Sequence, residues 1–431
     1  MNKFMVGGIS GVMLFTVLFG TVYSVQAAEK KGTSPSIALE TQQAAESSVQ
    51  KTQDARNFTD VRDGHWAKTD IVTAVSKGYV AGYPGGLFKP DQPIKRGEFV
   101  KMVVTALGLP VETTTGAWYE SYVKVAGDNI LYSTSDFANN DKEWNTNITR
   151  QEMARIAVRA TGATTTEDDK WMYLATKAGL ITGLGKGELG IDKTTTRAQS
   201  VTIIERILTV KDGGTLPVDK YAVGSAEIAW HGTNIFTVMP EIYVTDEKDY
   251  VGKTIEDLWN EELMVLETKD GDYKGVLEAL IAIDLADPND PNLKLLPPLS
   301  ELKWFNRSGV NDGVPMEQHP VSEKMDSYLL YYKGKEIYNN NSARYRSSDL
   351  GPSVTLMGMN AVKLTDMRKG ILNMPAIVYH HKLHDLPVDI VPKTGWVQNG
   401  DKLKIEIHSP SVVAAGYTSH ILLEVNGPMF D

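Results

Sequence analysis

Arg96, Arg150 and Arg197 hold the same place in three short stretches of this chain. These read Ile94-Lys95-Arg96-Gly97-Glu98-Phe99, Ile148-Thr149-Arg150-Gln151-Glu152-Met153 and Thr195-Thr196-Arg197-Ala198-Gln199-Ser200. A guanidinium fork matches a carboxylate with two parallel hydrogen bonds, so an arginine kept at one position three times reads as a surface for an anion. Thr149 with Glu152, and Thr196 with Gln199, have the spacing of a helix capping box, worth about 0.5–2 kcal/mol per helix. The arginine then falls at the first helical position, where the helix dipole disfavours a cation by about 0.3–1 kcal/mol. A sequence shaped only for the helix would place Asp or Glu there. Arginine and dipole add, however, where an anion binds. The plain alternative is a solvated arginine. Lys95 replaces the capping Thr and Gln199 replaces the Glu, which ranks Arg150 and Arg197 above Arg96. Trp66, Trp118 and Trp171 precede the three stretches; they fit the core first and the flat face of a sugar second. Glu98, Glu152 and Gln199 complete the candidate binding set.

The elements that position these residues recur with a period of about fifty residues, the mark of a repeat architecture. In the first unit Trp66, Ile71, Ala74 and Val75 suit one helix face, and Gly78 stops that helix. Gly82-Tyr83-Pro84-Gly85-Gly86-Leu87-Phe88-Lys89-Pro90 forms a loop, and Phe99, Met102, Val103, Ala106 and Leu107 line a second helix. The third unit copies this plan. Trp171, Ala175 and Ala178 mirror the first helix and Gly179 mirrors Gly78, with eighteen residues from glycine to arginine in both units. In the second unit Asn129 stands where the others have glycine, a residue that tolerates the left-handed conformation, and the loop to Arg150 is three residues longer. Two helices cannot bury their faces alone, so the units are expected to pack on one another.

Length, charge and the N-terminus bound the rest. The 431 residues suffice for two or more domains, and a net charge of −10 does not suit nucleic acid. There is no cysteine, which excludes disulfides and thiolate metal sites. Asn2-Lys3, an uncharged apolar run from Phe4 to Val25 and the small-x-small signal Val25-Gln26-Ala27 read as a signal peptide, residues 1–27, cleaved after Ala27. An uncleaved anchor is the alternative. No later apolar run is long enough to span a bilayer, so no membrane span is expected after cleavage. Residues 28–57 are polar and short of large apolar side chains, and read as a linker.

Taken together, Phe58-Thr59-Asp60-Val61, the helical tryptophan, the glycine-rich loop ending in Phe88-Lys89-Pro90 and the Ile-Thr-Arg signature resemble a triplet of surface-layer homology domains. The resemblance covers about residues 58–211, with units at 58–110, 111–164 and 165–213; the first matches almost fully and the others drift outside the signature. It implies an all-α, three-pronged, pseudo-threefold bundle whose grooves hold an anionic, pyruvylated secondary cell-wall polysaccharide. It also implies a secreted protein held without covalent bonds at the wall or S-layer of a Gram-positive bacterium, and a ligand whose carboxylate suits the anion-holding role read above for Arg96, Arg150 and Arg197.

Residues 218–431 match no family pattern and read as a β-rich or α+β domain, so the chain is expected to be multidomain. Tyr273 to Leu285 has helical spacing, with Leu277, Leu280 and Ile281 on one side. Lys333-Gly334-Lys335 and Asn399-Gly400 each read as hairpin turns, and His420 to Val425 as a terminal strand. His380 and His384, four apart with His381 nearby, are weak metal candidates; on a strand both would share one face. Asp284, Asp287 and Asp290 offer oxygen ligands for calcium without an EF-hand spacing. Asp366, Asp385 and Asp389 are candidate paired carboxylates of unknown separation. No nucleophile elbow, phosphate loop or dinucleotide fingerprint occurs, so no enzyme and no cofactor is expected. The C-terminal half is then surface cargo, whether a self-associating lattice subunit or an accessory protein. The other reading keeps the anchor and makes that half a wall-tethered hydrolase.

Overall fold

A computed structural model describes residues 58–112, 115–305, 318–346, 350–367, 369–412 and 416–428. The expected signal peptide and linker lie outside them. The N-terminal half is helical. Its helices are α1 (Lys68–Lys77), α2 (Arg96–Ala106), α3 (Glu120–Asp128), α4 (Asp141–Trp144), α5 (Arg150–Ala160), α6 (Lys170–Lys177), α7 (Arg197–Lys211), α8 (Lys220–His231) and α9 (Ile235–Val238). The expected apolar faces are buried: Ile71, Ala74 and Val75 on α1, Phe99, Met102 and Val103 on α2, Met153, Ile156 and Ala157 on α5. Among the described residues no helix is long and apolar enough to cross a membrane.

Gly78 (φ 79°) and Gly179 (φ 70°) close α1 and α6 in the left-handed conformation. Asn129 does not play that part. It stays at φ −102°, and the next residue, Ile130, carries the left-handed angle (φ 59°). Twenty residues therefore separate the left-handed residue from Arg150, so the loop is two longer than its counterparts, not three. The extra length is folded into the single turn α4, capped by Asn140, whose side chain accepts from Glu143 N–H at 3.1 Å.

The residues that precede α2, α5 and α7 meet at the centre. Ile94 N–H donates to Thr195 O (3.0 Å), Thr195 N–H to Ile148 O (3.1 Å) and Ile148 N–H to Ile94 O (2.9 Å), a closed ring. All three residues are buried, so the ring leaves none of these backbone donors wanting a partner. One apolar core runs from Val61 to Ile207 and takes in Val223, Ala226 and Trp230 of α8.

The C-terminal half is antiparallel β. Strands β1 (Val265–Glu267), β2 (Tyr273–Asp284), β3 (Lys303–Phe305), β4 (His319–Pro320), β5 (Ser327–Asn339), β8 (Ala376–Tyr379) and β9 (Val388–Pro392) form a seven-stranded sheet in the order β1-β2-β5-β9-β8-β3-β4. Strands β6 (Ser353–Met357), β11 (Leu403–His408) and β12 (Ser419–Val425) form a three-stranded sheet, and β7 (Met359–Ala361) pairs with β10 (Trp396–Gln398).

Three expectations fail here. Tyr273 to Leu285 is strand, not helix: β2 is flanked by β1 and β5, its burial alternates from Tyr273 to Glu278, and only from Ala279 to Ile283 is it buried on both faces, where the apolar residues run without alternation. Lys333-Gly334-Lys335 is no hairpin but the middle of the single strand β5. Both lysines pair with Glu278 on β2, and a Cβ on Gly334 would stand 2.6 Å from Leu350 O, so the glycine serves close approach rather than a turn. Asn399-Gly400 joins strands of different sheets, since β10 pairs with β7 while β11 pairs with β6 and β12. The terminal strand forms as expected.

The two halves are tied at α6. Tyr173 Oη donates to Glu256 (2.8 Å), Lys177 Nζ pairs with the same carboxylate (2.6 Å), and Lys170 pairs with Asp257. Burial alone would push both carboxyls up. Lys177 and Thr254 outweigh it for Glu256, and Lys170 with the Thr254 amide for Asp257, so both sit below the usual carboxylate range.

Candidate functional site

The helix starts follow the capping reading. Thr149 Oγ1 accepts Glu152 N–H at 3.3 Å and Glu152 Oε2 accepts Thr149 N–H at 3.0 Å. Thr196 and Gln199 reciprocate at 3.3 and 3.0 Å. At α2 only half of the box exists: Glu98 accepts Lys95 N–H at 2.9 Å, and Lys95 has no hydroxyl to answer.

The amides of these first turns are not open to an anion. Arg197 N–H donates to Gln92 O (2.9 Å) and Ala198 N–H to Pro90 O (3.0 Å). Arg150 N–H donates to Lys193 O and Gln151 N–H to Ile191 O, both at 3.0 Å, and Arg96 N–H to Thr146 O at 3.0 Å. The expectation that helix end and arginine add at one anion is corrected: each helix end is capped by the loop of another stretch. The arginine side chains do the same. Arg197 Nε donates to Phe88 O (3.1 Å) and Nη2 to Ala81 O (3.0 Å); Arg150 Nε donates to Leu189 O and Nη2 to Thr182 O, both at 2.7 Å. A cation at the first helical position is thus offset by carbonyl oxygens reaching in from the neighbouring loop.

All three arginines are buried, yet their charges are met differently. Arg96 is gripped by two acids: Nε donates to Glu152 Oε2 (3.0 Å), and its two Nη atoms reach the carboxylates of Glu143 and Glu152. Phe137 lies 4.4 Å from the guanidinium. Burial pulls Arg96 down, but Glu152 and Glu143 outweigh it and hold its pKa above the ordinary value. Among the described residues no carboxylate lies within 4.0 Å of the guanidinium of Arg150 or Arg197, and no acceptor takes Nη1 of either; Glu188 acts on the first, and Glu98 and Asp60 on the second, from farther off. Burial lowers the pKa of both, and Arg206 adds to the effect at Arg150. Arg197 lies 4.8 Å from the Tyr83 ring, and Lys89 lies over the same ring at 4.4 Å.

The tryptophans divide. Trp66 and Trp118 are 63% and 49% exposed, against the core reading, while Trp171 is 4% exposed. Trp66 and Trp118 each stand twelve residues before their left-handed residue, Gly78 or Ile130; Glu167 holds that place before Gly179. Trp171 is therefore not their counterpart. It is core, with Arg159 stacked 4.5 Å from its ring. Glu167 instead accepts Trp230 Nε1 at 2.7 Å.

Sequence reasoning missed Glu143, Tyr83, Lys89 and Arg206. Asn140 followed three residues later by Glu143 is a helix-start signal that could have found the first. It also gave no role to Asp60, which accepts Phe88 N–H (2.8 Å) and Lys89 N–H (2.7 Å) and so pins the first loop.

The C-terminal candidates do not assemble into a centre. His380 and His384 are not on a strand: β8 ends at Tyr379, and Asp385 accepts the backbone N–H of His380, His381 and Lys382 to form a tight loop. His380 pairs with Glu301 at 2.6 Å, and His384 sits at φ 62°. Asp284 pairs with Lys393 and Asp287 with Lys220, while Asp290 accepts Asp284 N–H and Asn292 N–H. Among the described residues no group of three or more His, Asp or Glu is placed to hold a metal. Asp389 accepts Tyr332 Oη (2.8 Å), Asp366 pairs with Lys369 and Asp385 is held in its loop, so each acid has its own partners.

Residues 57–100 match the S-layer homology domain. The chain is 29% identical over 182 residues to an amylopullulanase of Thermoanaerobacterium thermosulfurigenes, covering 36% of this chain and 10% of that protein. It is 28% identical over 180 residues to the exoglucanase XynX of Acetivibrio thermocellus, covering 35% of this chain and 16% of that protein. A cellulosome-anchoring protein of Acetivibrio thermocellus is 34% identical over 88 residues, 19% of this chain and 20% of that protein. The chain thus spans a fifth or less of the length of each of these relatives.

Proposed function

We propose that residues 58–211 are three copies of one unit arranged about a pseudo-threefold axis, and that they anchor the protein at a Gram-positive cell surface by holding an acidic wall polysaccharide. The closed ring through Ile94, Thr195 and Ile148 supports the threefold arrangement. The S-layer homology domain at 57–100 and the likeness to an anchoring protein support the surface role. One observation carries the ligand class: Arg197 is a buried cation whose guanidinium has no carboxylate within 4.0 Å among the described residues, and it shares the Tyr83 ring with a second such cation, the Lys89 ammonium. A buried charge is costly unless paired, and a sugar acid such as a ketal-linked pyruvate supplies the partner. The exposed indole of Trp66 offers an apolar face to a sugar ring. The remaining sheets form the cargo, a lattice subunit or accessory surface protein.

The test leaves the protein unaltered. Cosedimentation is compared between intact walls and walls stripped of pyruvyl groups by mild acid. Retention is expected on intact walls and lost on stripped ones; equal retention on both rejects the carboxylate reading.

A second reading, a wall-tethered hydrolase, has one observation in its favour. A cleft of about 310 Å³ opens between the two larger sheets, lined by Tyr332, Ser353, His384, Asp389 and His408. Turnover of a wall glycan abolished by Asp389→Asn would establish it.

A further inference from the structure

The three arginine positions are built on one plan but carry different charge. Arg197 grips the carbonyls of Ala81 and Phe88, which stand fifteen and eight residues before Arg96. Arg150 grips those of Thr182 and Leu189, fifteen and eight before Arg197. Arg96 departs from the plan. The loop it faces is the one lengthened by two residues, and the added turn α4 turns Glu143 toward it. Glu143 gives its carbonyl (3.2 Å) and its carboxylate, and Glu152 adds a second acid in fork-to-fork geometry. One cation is met by two acids, so an anionic ligand arriving there meets net negative charge.

The Arg150 position lacks the other half of a sugar site. Glu167 stands where Trp66 and Trp118 stand elsewhere, bonded to Trp230, and the adjoining Asp168 pairs with Arg155. Of the three arginines, Arg197 alone faces the loop of a unit that carries an exposed tryptophan, Trp66, and has no carboxylate within 4.0 Å of its guanidinium, Glu98 and Asp60 acting on it only from farther off. Its position adds a second cation, Lys89, on the same tyrosine ring. Among the described residues the Lys89 ammonium also has no carboxylate within 4.0 Å, Asp60 being bonded to the Lys89 backbone N–H instead.

Resting on the anchoring function proposed above, we infer that this chain holds one acidic sugar, at Arg197, Lys89 and Trp66, and that the Arg96 position is closed by the chain's own Glu143. The lengthened second loop is then an internal occupant, and avidity from several grooves on one chain is absent.

Isothermal titration of the full chain with a wall-polysaccharide fragment bearing a single pyruvyl ketal tests this. Lys89 and Lys101 are both on the surface, and Lys101 stands near Trp118 on the Arg96 side (5.8 Å), so neither substitution threatens the core. One fragment per chain is expected, with Lys89→Gln and Trp66→Ala each weakening it about tenfold or more and Lys101→Gln less than twofold. Two or three fragments per chain, or a loss with Lys101→Gln equal to that with Lys89→Gln, overturns the single-site inference while leaving anchoring intact. No binding by the unaltered chain overturns the anchoring reading and this inference with it.

Discussion

Replacing Arg197 with alanine separates a brace from a mere receptor. Its guanidinium makes two hydrogen bonds, to Phe88 O at 3.1 Å and Ala81 O at 3.0 Å, between residues 109 and 116 positions apart in the chain. A hydrogen bond to a charged group contributes about 1.5–3 kcal/mol, and losing the partner leaves buried carbonyls unsatisfied. Relief from burying an unpaired cation offsets part of this. A net loss of about 3 kcal/mol follows. For a domain of 150–250 residues each kcal/mol moves the melting temperature by about 2–4 °C, so a fall of about 6–12 °C is expected. Differential scanning calorimetry of the unaltered chain, Arg197→Ala and Arg197→Lys reads it directly. The lysine variant should fall in between, since one ammonium cannot reach both carbonyls in the fork geometry. A shift below about 2 °C for the alanine variant, less than 1 kcal/mol, would refute the brace.

Two other outcomes are expected. Ile130 is a β-branched residue in the left-handed region (φ 59°) and 72% exposed, so Ile130→Gly should remove about 1–2 kcal/mol of strain, add about 0.5–1 kcal/mol of chain entropy and raise the melting temperature; a lower melting temperature would count against it. At the junction, Glu256 and Asp257 have folded pKa values below their ordinary ones, so their contribution is present above the ordinary carboxylate range and disappears as pH falls through the folded values. The melting temperature of the unaltered chain should therefore drop more steeply from about pH 5 to about pH 3 than that of Lys170→Met/Lys177→Met; parallel slopes would deny the linkage.

What could be read from the chain alone was what is local. The caps of α5 and α7 depend on residues three apart, and the equal loops after Gly78 and Gly179 can be counted directly. The role of the arginines could not be read, because Phe88 and Ala81 come to Arg197 from another stretch and Glu143 comes to Arg96 only through α4. Trp171 misled because tryptophan was matched by type; the left-handed residue gives the register and puts Glu167 in that place. In the second half of β2, from Ala279 to Ile283, burial on both faces erased the alternation that marks a half-buried strand. Gly334 marked a close approach that requires knowing where Leu350 lies.

The most direct measurement is a crystal structure of the full chain soaked with the singly pyruvylated wall fragment. The ketal carboxylate is expected about 3 Å from Arg197 Nη1, the donor left over from the brace, with the sugar ring against Trp66. Fragment density at Arg96, or only in the cleft lined by Asp389 and His408, would contradict the account.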